Sequence, residues 1–289
     1  MASVPLYDQA TRHLRRNRAT AAGTEAFLAR RAFDDMLDRL GAVQRRFQHA
    51  LLLGSLDAGW SAELKCVAAH VSVADPATSP ATRAGGIAAD ESALPFENAT
   101  FDLLVSAGTL DTADDLPGAL VEARRILKPD SLLIGALPGA GSLPLLRAAL
   151  AAADEASGRA APRLHPGIDA RTMGDLLARA GFVLTVVDVD RVAIGYGDLL
   201  PLVHDLRAHA ATNVLSRRTR TPLSRTALGT AREAFMSQAQ SGRVYERVEL
   251  LHFLGWTPGP GQPQPAKRGS ATASLAAALG GGIERPDKG

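Results

Sequence analysis

Short, continuous apolar runs alternate along this chain with longer segments that have helical periodicity. The runs include residues 50–53, 101–106 and 131–138, and a helical segment follows each of them. A strand that is apolar throughout, rather than at every second residue, is typical of a parallel sheet covered by helices on both faces. The pattern therefore predicts an α/β fold of the doubly wound type, with a mainly parallel seven-stranded sheet.

The chain is expected to have three parts. Residues 1–45 are predicted to form a basic arm, free on the surface or docking as an amphipathic helix, and then a helix over 24–40 with Thr24 as its N-cap. Residues 46–256 form the α/β domain, and 257–289 form a tail rich in proline and glycine that is flexible in part. A helical insertion over 196–240, before the last strand, is expected to cover the ligand pocket as a lid.

Charge and cysteine content limit the classes of partner and of location. The chain of 289 residues has 32 basic and 30 acidic residues, so its net charge of +2 gives no reason to expect nucleic acid as a partner. The single cysteine, Cys66, excludes a disulfide within the chain and suits a reducing compartment. No apolar run reaches the roughly 20 residues of a membrane span. We expect a cytoplasmic protein of bacterial type, without an integral membrane segment, and leave peripheral association with the inner membrane open.

Small and polar residues stand where successive predicted strands end, at Gly54, Asp75, Asp90 and Ser106. Ligands of parallel sheets bind at this edge. A carboxylate after the second strand can accept hydrogen bonds from both ribose hydroxyls, and Asp90 can accept from an adenine amine while the N–H of Glu91 contacts a ring nitrogen. The four positions together predict an adenosyl ligand. The alternative is that loops simply favour Gly, Asp and Ser.

The stretch 94–136 contains "LPF", "FDLLVS" and "LKPD", in that order. It resembles the middle of the class I S-adenosylmethionine-dependent methyltransferases, which have a Rossmann-like fold. The resemblance implies S-adenosylmethionine as the cofactor. The first loop of such a site needs close backbone approach, which favours glycine.

Four further stretches narrow the resemblance: "YDQATRHLRRNRA", "LVHDLRAHAATN", "LGWTP" and "KRGSATASL". They are similar to the complex I assembly factor 5 family, which includes mitochondrial proteins and bacterial relatives, and more distantly to the carrier-protein methyltransferases of the biotin pathway. The resemblance implies a protein substrate, a core subunit of respiratory complex I, and either methylation or arginine hydroxylation of it. It also implies that Gly54 is the first-loop glycine, that Asp75 holds the ribose and Asp90 the adenine, and that Ser106 lies below the sulfonium.

The substrate side of the resemblance lies in the insertion and the tail. Asp205, Arg207 and Asn213 match the "DLR…N" of the insertion, and residues 268–270 match the tail motif "RGS". A cationic protein side chain would favour Asp205 as its partner, with Arg207 able to pair with the same carboxylate. The alternative is that Asp205 and Arg207 only hold the lid to the sheet.

The first loop departs from the family pattern. Leu52 replaces an acidic residue, and Leu56 and Ala58 replace the second and third glycines. After the fourth strand, 111–112 is Asp–Thr where the family often has an aromatic or His–Trp pair. Three hypotheses therefore stay open: a protein-modifying enzyme, a non-catalytic complex I assembly chaperone that has lost its cofactor, and a carrier-protein or small-molecule O-methyltransferase. No catalytic residue is assigned.

Two remaining features give weaker signals. His165 and Asp169 in "HPGID" lack a third ligand in the sequence, so no metal site is predicted. The basic clusters at 15–18 and 217–220 are interpreted as solvated faces. Docking of an acidic partner protein is the alternative.

Overall fold

One seven-stranded sheet organises the described part of the chain, which comprises residues 5–260 and residue 262 of a computed structural model. All seven strands lie in the first of two units, which ends at Gly259. The strands are β1 (Phe47–Leu53), β2 (Ala68–Asp75), β3 (Ile87–Ala88), β4 (Phe101–Ala107), β5 (Leu127–Pro138), β6 (Val183–Tyr196) and β7 (Val244–Trp256). The tail motif at 268–270 lies outside the described residues.

The sheet has the order β3–β2–β1–β4–β5–β7–β6. Strand β7 runs antiparallel to both of its neighbours, and the other neighbouring pairs are parallel. The strand order changes direction between β1 and β4: β2 and β3 lie on one side of β1, and β4 and β5 lie on the other. The carboxyl ends of β1 and β4 at this switch point are therefore the expected ligand edge. The predicted fold class, a mainly parallel seven-stranded doubly wound sheet, is confirmed.

Helices lie on both faces of the sheet. They are α1 (Gln9–Ala22), α2 (Phe27–Ala42), α3 (Trp60–Glu63), α4 (Thr78–Arg83), α5 (Leu116–Ile126), α6 (Pro144–Ser157), α7 (Ala170–Arg179), α8 (Leu199–Ala208) and α9 (Arg225–Met236).

Strand β1 shows why its sequence is apolar at successive positions. Leu51 and Leu53 pack on one face, in a cluster with α5 and α7, whereas Leu52 packs on the other face with Phe33 of α2 and Trp60 of α3. Successive side chains of a strand point to opposite faces, so a strand covered on both sides needs an apolar residue at every position.

The N-terminal segment is a docked helix, one of the two predicted alternatives, and not a free surface arm. Helix α1 packs on its own domain with Arg12 and Arg16 buried, so the cluster at 15–18 is not wholly a solvated face. Thr24 is not the N-cap of the next helix, because α2 begins at Phe27 and Ala26 caps it without a side-chain hydrogen bond. The N–H of Leu28 instead donates to Nε2 of His209, at 3.0 Å. A distant side chain therefore satisfies this helix end in place of a local one.

The predicted insertion, 196–240, follows β6, which ends at Tyr196. Within 196–240 the structure has two helices, α8 and α9, joined by the non-helical stretch 209–224. They pack on α6 through buried Leu146, Leu202 and Phe235. The insertion is thus anchored on the domain at the side where β5 and β7 meet α6. The third strand is shorter than predicted, since it ends at Ala88 rather than at Asp90.

Candidate ligand site at the carboxyl edge of the sheet

Gly54 ends β1 in a conformation that requires glycine. Its φ is +93°, and a Cβ at this position would lie 2.5 Å from the carbonyl oxygen of Ala107, at the end of β4. Its N–H donates to the carbonyl oxygen of Ala74, at 2.8 Å. The first-loop glycine therefore allows the backbone ends of β1, β2 and β4 to come close together.

Asp75 is buried at the end of β2, and all of its acceptor positions are used. Arg16 donates from Nε to Oδ1 at 3.0 Å and from Nη2 to Oδ2 at 2.5 Å. The backbone N–H groups of Ser55 and Ala77 donate to the same two oxygens, each at 2.9 Å. Burial alone would raise the pKa of Asp75, but the charge of Arg16 and these four hydrogen bonds hold it below its usual value.

Glu91 is buried beside it and is paired with the other inward-facing arginine of α1. Both Nη atoms of Arg12 donate to the Glu91 carboxylate, and its Nε donates to Oγ1 of Thr112 at 3.0 Å. Asp90 is exposed instead, and its Oδ1 accepts hydrogen bonds from the backbone and hydroxyl of Ser92. The two neighbouring acids therefore have different surroundings, and Asp90 is the one open to solvent.

Ser106 is the second-last residue of β4, which is buried along its whole length. Its side chain is fully buried, and its Oγ has no hydrogen-bond partner among the described residues; the same is true of Oγ1 of Thr109. Buried hydroxyls without a partner are uncommon, because desolvating them costs free energy. Two of them next to the switch point are a sign of a ligand edge.

These residues do not fit an adenosyl cofactor in the arrangement seen. Gly54, Ser106 and Thr109 suit a ligand that approaches the strand ends. Asp75 and Glu91, however, are the buried carboxylates of this edge, and α1 occupies both of them. The predicted ribose acceptor has no free lone pair while Arg16 stays in place.

A cavity of about 190 Å³ lies next to these strand ends, beneath α2 and the insertion. That volume is more than ten times the roughly 10–15 Å³ that one water molecule needs. Its wall is mainly apolar and includes Leu56, Met36, Trp60 and Leu143. Leu56, which stands in place of the second glycine of the family pattern, therefore lines this cavity.

Two carboxylates line the cavity, Asp111 after β4 and Asp205 on α8. Oδ2 of Asp205 accepts the hydroxyl of Tyr196 at 2.7 Å. Burial, and then this hydrogen bond, raise the pKa of Tyr196, so the phenol keeps its proton and donates. Within residues 5–260, no hydrogen bond to Oδ1 of Asp205 or to the carboxylate of Asp111 is present. Each acid has accepting capacity left for a ligand.

Two histidines also line the cavity, and hydrogen bonds define their roles. Nε2 of His209 accepts from Leu28, so the hydrogen-bond network places the proton on Nδ1, which faces the carbonyl oxygen of Asp205 at 2.7 Å. Nε2 of His165 accepts from the N–H of Val214 at 3.0 Å. Burial lowers the pKa of both histidines, which favours the neutral imidazole.

The other two predicted substrate residues have different surroundings. Arg207 is exposed on α8, and residues two apart on a helix, such as Asp205 and Arg207, point in very different directions. The pairing that the sequence allowed between Asp205 and Arg207 is not present among residues 5–260, and the roles of both residues stay predictions. Asn213 donates to the carbonyl oxygen of Pro162 at 2.8 Å and accepts from the N–H of Leu215 at 3.0 Å, so it joins two loops at the cavity wall.

Sequence reasoning missed the two arginines that occupy the strand ends. Arg12 and Arg16 are four residues apart, which places them on one face of a helix, and a pair of arginines of this kind can reach two buried acids. That spacing was the available signal. His209 was missed because its contact with Leu28 joins segments that are distant in sequence, and Tyr196 because its bond to Asp205 depends on the turn between β6 and α8.

No group of three or more His, Cys, Asp or Glu residues is arranged to hold a metal ion among the described residues. Asp169, the second residue of the "HPGID" signal, caps α7 by accepting from the N–H of Thr172 at 2.7 Å. No helix in the described part of the chain is both long and apolar enough to span a membrane.

Comparison with known proteins agrees with the observed fold. Residues 52–135 match the model of a methyltransferase domain. The zebrafish (Danio rerio) protein named arginine-hydroxylase NDUFAF5, mitochondrial, is 37% identical over 193 residues, which are 66% of this chain and 60% of that protein. The human protein of the same name is 36% identical over 65% of this chain and 55% of its own length. The chain thus contains a methyltransferase domain match and is similar in sequence to the NDUFAF5 proteins.

This similarity confirms the predicted resemblance, and two further comparisons extend it. A malonyl-[acyl-carrier protein] O-methyltransferase of Laribacter hongkongensis is 31% identical over 60% of this chain and 56% of its own length. The crystal structure of YcgJ from Bacillus subtilis superposes with a TM-score of 0.52 at 12% identity, over 76% of this chain and 96% of YcgJ. That likeness shows the class I methyltransferase fold alone. The chain spans about 55–60% of the length of the NDUFAF5 relatives from zebrafish and human.

Proposed function

We propose that the chain is an S-adenosylmethionine-dependent methyltransferase-like protein that modifies a cationic side chain of a respiratory complex I subunit during assembly, by methylation or arginine hydroxylation. The observation that carries the proposal is the pair of carboxylates, Asp111 and Asp205, in a mainly apolar cavity beside the strand ends. The homologues named arginine hydroxylases support this substrate class. The proposed location is the cytoplasm of a bacterial-type cell, at or near the inner membrane.

A guanidinium group suits this cavity for electrostatic reasons. Carboxylates in apolar surroundings are costly unless a cation or several hydrogen-bond donors compensate them. Tyr196 supplies one donor to Asp205, and the remaining oxygens can accept the planar fork of an arginine. Two arginines also line the cavity: Arg163 is already paired with Asp154, and Arg147 is exposed and makes no ion pair with either acid among residues 5–260. The acids are thus available to an incoming side chain.

The cofactor would bind at Gly54, Asp75, Asp90, Glu91 and Ser106. In this proposal α1 withdraws before the cofactor binds, because Arg16 and the ribose hydroxyls compete for Asp75. Asp205, Arg207 and Asn213 remain the proposed substrate residues, with Asp205 in the cavity and Arg207 outside it.

A non-catalytic assembly chaperone is the second candidate function, and the occupied carboxylates favour it. If Arg12 and Arg16 never leave Glu91 and Asp75, the edge is a structural core and the cavity only holds a subunit. A carrier-protein or small-molecule O-methyltransferase is a further alternative, which rests on the likeness to the malonyl-carrier enzyme.

The cation-binding role can be tested with a small probe in place of the unidentified subunit. Acetyl-arginine methylamide and its neutral citrulline analogue would be titrated into the full chain and into Asp205→Asn, which keeps an acceptor for Tyr196. We expect the arginine probe to bind preferentially, and Asp205→Asn to weaken it about tenfold, or ~1.4 kcal/mol. Asp38→Asn, an exposed change of the same kind on α2, should leave binding unchanged. Equal binding of both probes, or no effect of Asp205→Asn, would contradict the proposal.

A further inference from the structure

A second recess, an open cleft of about 980 Å³, lies between α1, α8 and the stretch 218–223. Arginines from all three segments line it: Arg15 from α1, Arg207 from α8, and Arg218 and Arg220 from the connecting stretch. Arg15 and Arg207 also border a smaller recess with Arg18. The fold therefore brings together the two basic clusters that are about 200 residues apart in the sequence.

The carboxylate in the lining of this cleft does not neutralise it. Asp8 is paired with Arg218 at 2.9 Å and also caps α1 through the N–H of Thr11. The hydrogen bonds from Thr11 and the contact with Arg218 lower the pKa of Asp8 to about 2, so it is ionised and fully engaged at neutral pH. Among the described residues, no ion pair involves Arg15, Arg207 or Arg220.

Arg15 has the most unfavourable surroundings of these cations. Its Nε is buried, and no residue in the described part of the chain accepts a hydrogen bond from it. Burial, and then the charges of Arg218, Arg18 and Arg207, lower its pKa, as is expected where cations gather without an anion. A buried donor without an acceptor costs free energy, and like charges held together add to that cost. An anionic ligand would remove both penalties.

The cleft adjoins the acidic cavity. Arg163 and Asn213 line both of them, and Asp205 lines both the cavity and the smaller recess. A molecule bound in the cleft would therefore contact residues that also form the wall of the acidic cavity. The arginines of the cleft thus form a cationic rim beside the cavity, whose lining contains the carboxylates Asp111 and Asp205.

We propose that this arginine cleft binds carboxylates of an acidic protein segment. Its cations come from three separate elements, which suits several carboxylates along an extended chain better than one compact phosphate. Resting on the proposed function, we further infer that the modified cation of the partner is flanked by acidic residues. The rim then fixes the segment while the cation enters the cavity.

The cleft can be tested apart from the cavity with a fluorescein-labelled oligoglutamate of six residues, which has no cation. Its anisotropy would be followed with the full chain and with the double variant Arg207→Gln/Arg220→Gln, whose two arginines are exposed, so folding should be retained. We expect a loss of affinity of about tenfold or more, and weaker binding as salt rises. Arg171→Gln/Arg179→Gln on α7, with the same change of charge, is the control and should bind like the parent chain.

Equal binding by the parent chain and the arginine-cleft variant would overturn the proposal. Competition by inorganic phosphate at concentrations as low as those of the peptide would also overturn it, in favour of a compact anion. Because the probe has no cation, its result does not depend on the cavity. A second peptide with one arginine between two pairs of glutamates reports on the cavity, through its response to Asp205→Asn.

Discussion

Gly54 is a residue whose backbone geometry alone predicts a measurable effect. Alanine at this position would have to keep a φ of +93° and would place its Cβ 2.5 Å from a backbone oxygen of β4, which cannot move without disturbing the sheet. We expect Gly54→Ala to lower the free energy of unfolding by at least ~1–3 kcal/mol, measured by urea denaturation.

Gly229 provides the matched control for this prediction. It lies inside α9 with ordinary helical geometry, and a Cβ there would meet nothing within 4 Å. Gly229→Ala should therefore be neutral or stabilising by up to ~1 kcal/mol. If both variants had the same stability, close packing at the end of β1 would not be the reason for the glycine.

Ser106 carries a hydroxyl that contributes nothing to the fold by hydrogen bonding. Because its buried Oγ has no partner, Ser106→Ala should change the free energy of unfolding by less than ~1 kcal/mol. The same variant should weaken binding of any ligand that contacts the edge of β4, in a calorimetric titration. A large loss of stability would instead mean that the hydroxyl has a structural partner.

At the scale of elements, His209 joins the insertion to α2. It accepts from Leu28 at the start of α2 and is held by the backbone of α8 through its other nitrogen. His209→Ala should cost ~1–2 kcal/mol of unfolding free energy at pH 7.5, as expected for the loss of a helix cap. Exposed His204 on the same helix, changed to alanine, is the control.

The effect of His209 should also depend on pH. Burial lowers its pKa in the folded protein, so the unfolded chain binds the proton more readily. The stabilising contribution is complete above the unfolded value of about 6.5 and is lost as the pH falls from there towards the folded pKa. The gap between parent and His209→Ala should shrink between pH 7.5 and 5. A gap that is constant or grows would show that the histidine is not held neutral.

Helix α1 is the element for which the sequence was least informative. Its basic residues left a surface arm and a docking helix open, and did not indicate that Arg12 and Arg16 are buried against Glu91 and Asp75. The i,i+4 spacing was visible, but which face of a helix is buried depends on the acids that the rest of the fold presents. Local pattern cannot supply that information.

At the scale of the whole molecule, the sheet could be predicted because its signal is local. A strand such as β1, covered on both faces, needs an apolar residue at every position, and Gly54 follows from the turn that ends it. The cavity could not be predicted, because Asp111 and Asp205 are about 95 residues apart in the sequence. They line the same cavity only because α8 packs on the domain. The assignments of Gly54, Asp75, Asp90, Glu91 and Ser106 to a cofactor stay predictions.

The central claim is that the carboxyl edge is a cofactor edge from which α1 must withdraw. The most direct measurement is calorimetric titration of S-adenosylmethionine into the full chain, Arg16→Gln, and Arg18→Gln, an exposed change on the same helix, with folding checked by circular dichroism. We expect Arg16→Gln to bind at least several-fold more tightly than the parent, Arg18→Gln to match the parent, and Asp75→Asn added to Arg16→Gln to remove the gain. A folded Arg16→Gln variant that binds no more tightly than the parent would contradict the claim, and absence of binding by every variant would favour the assembly chaperone.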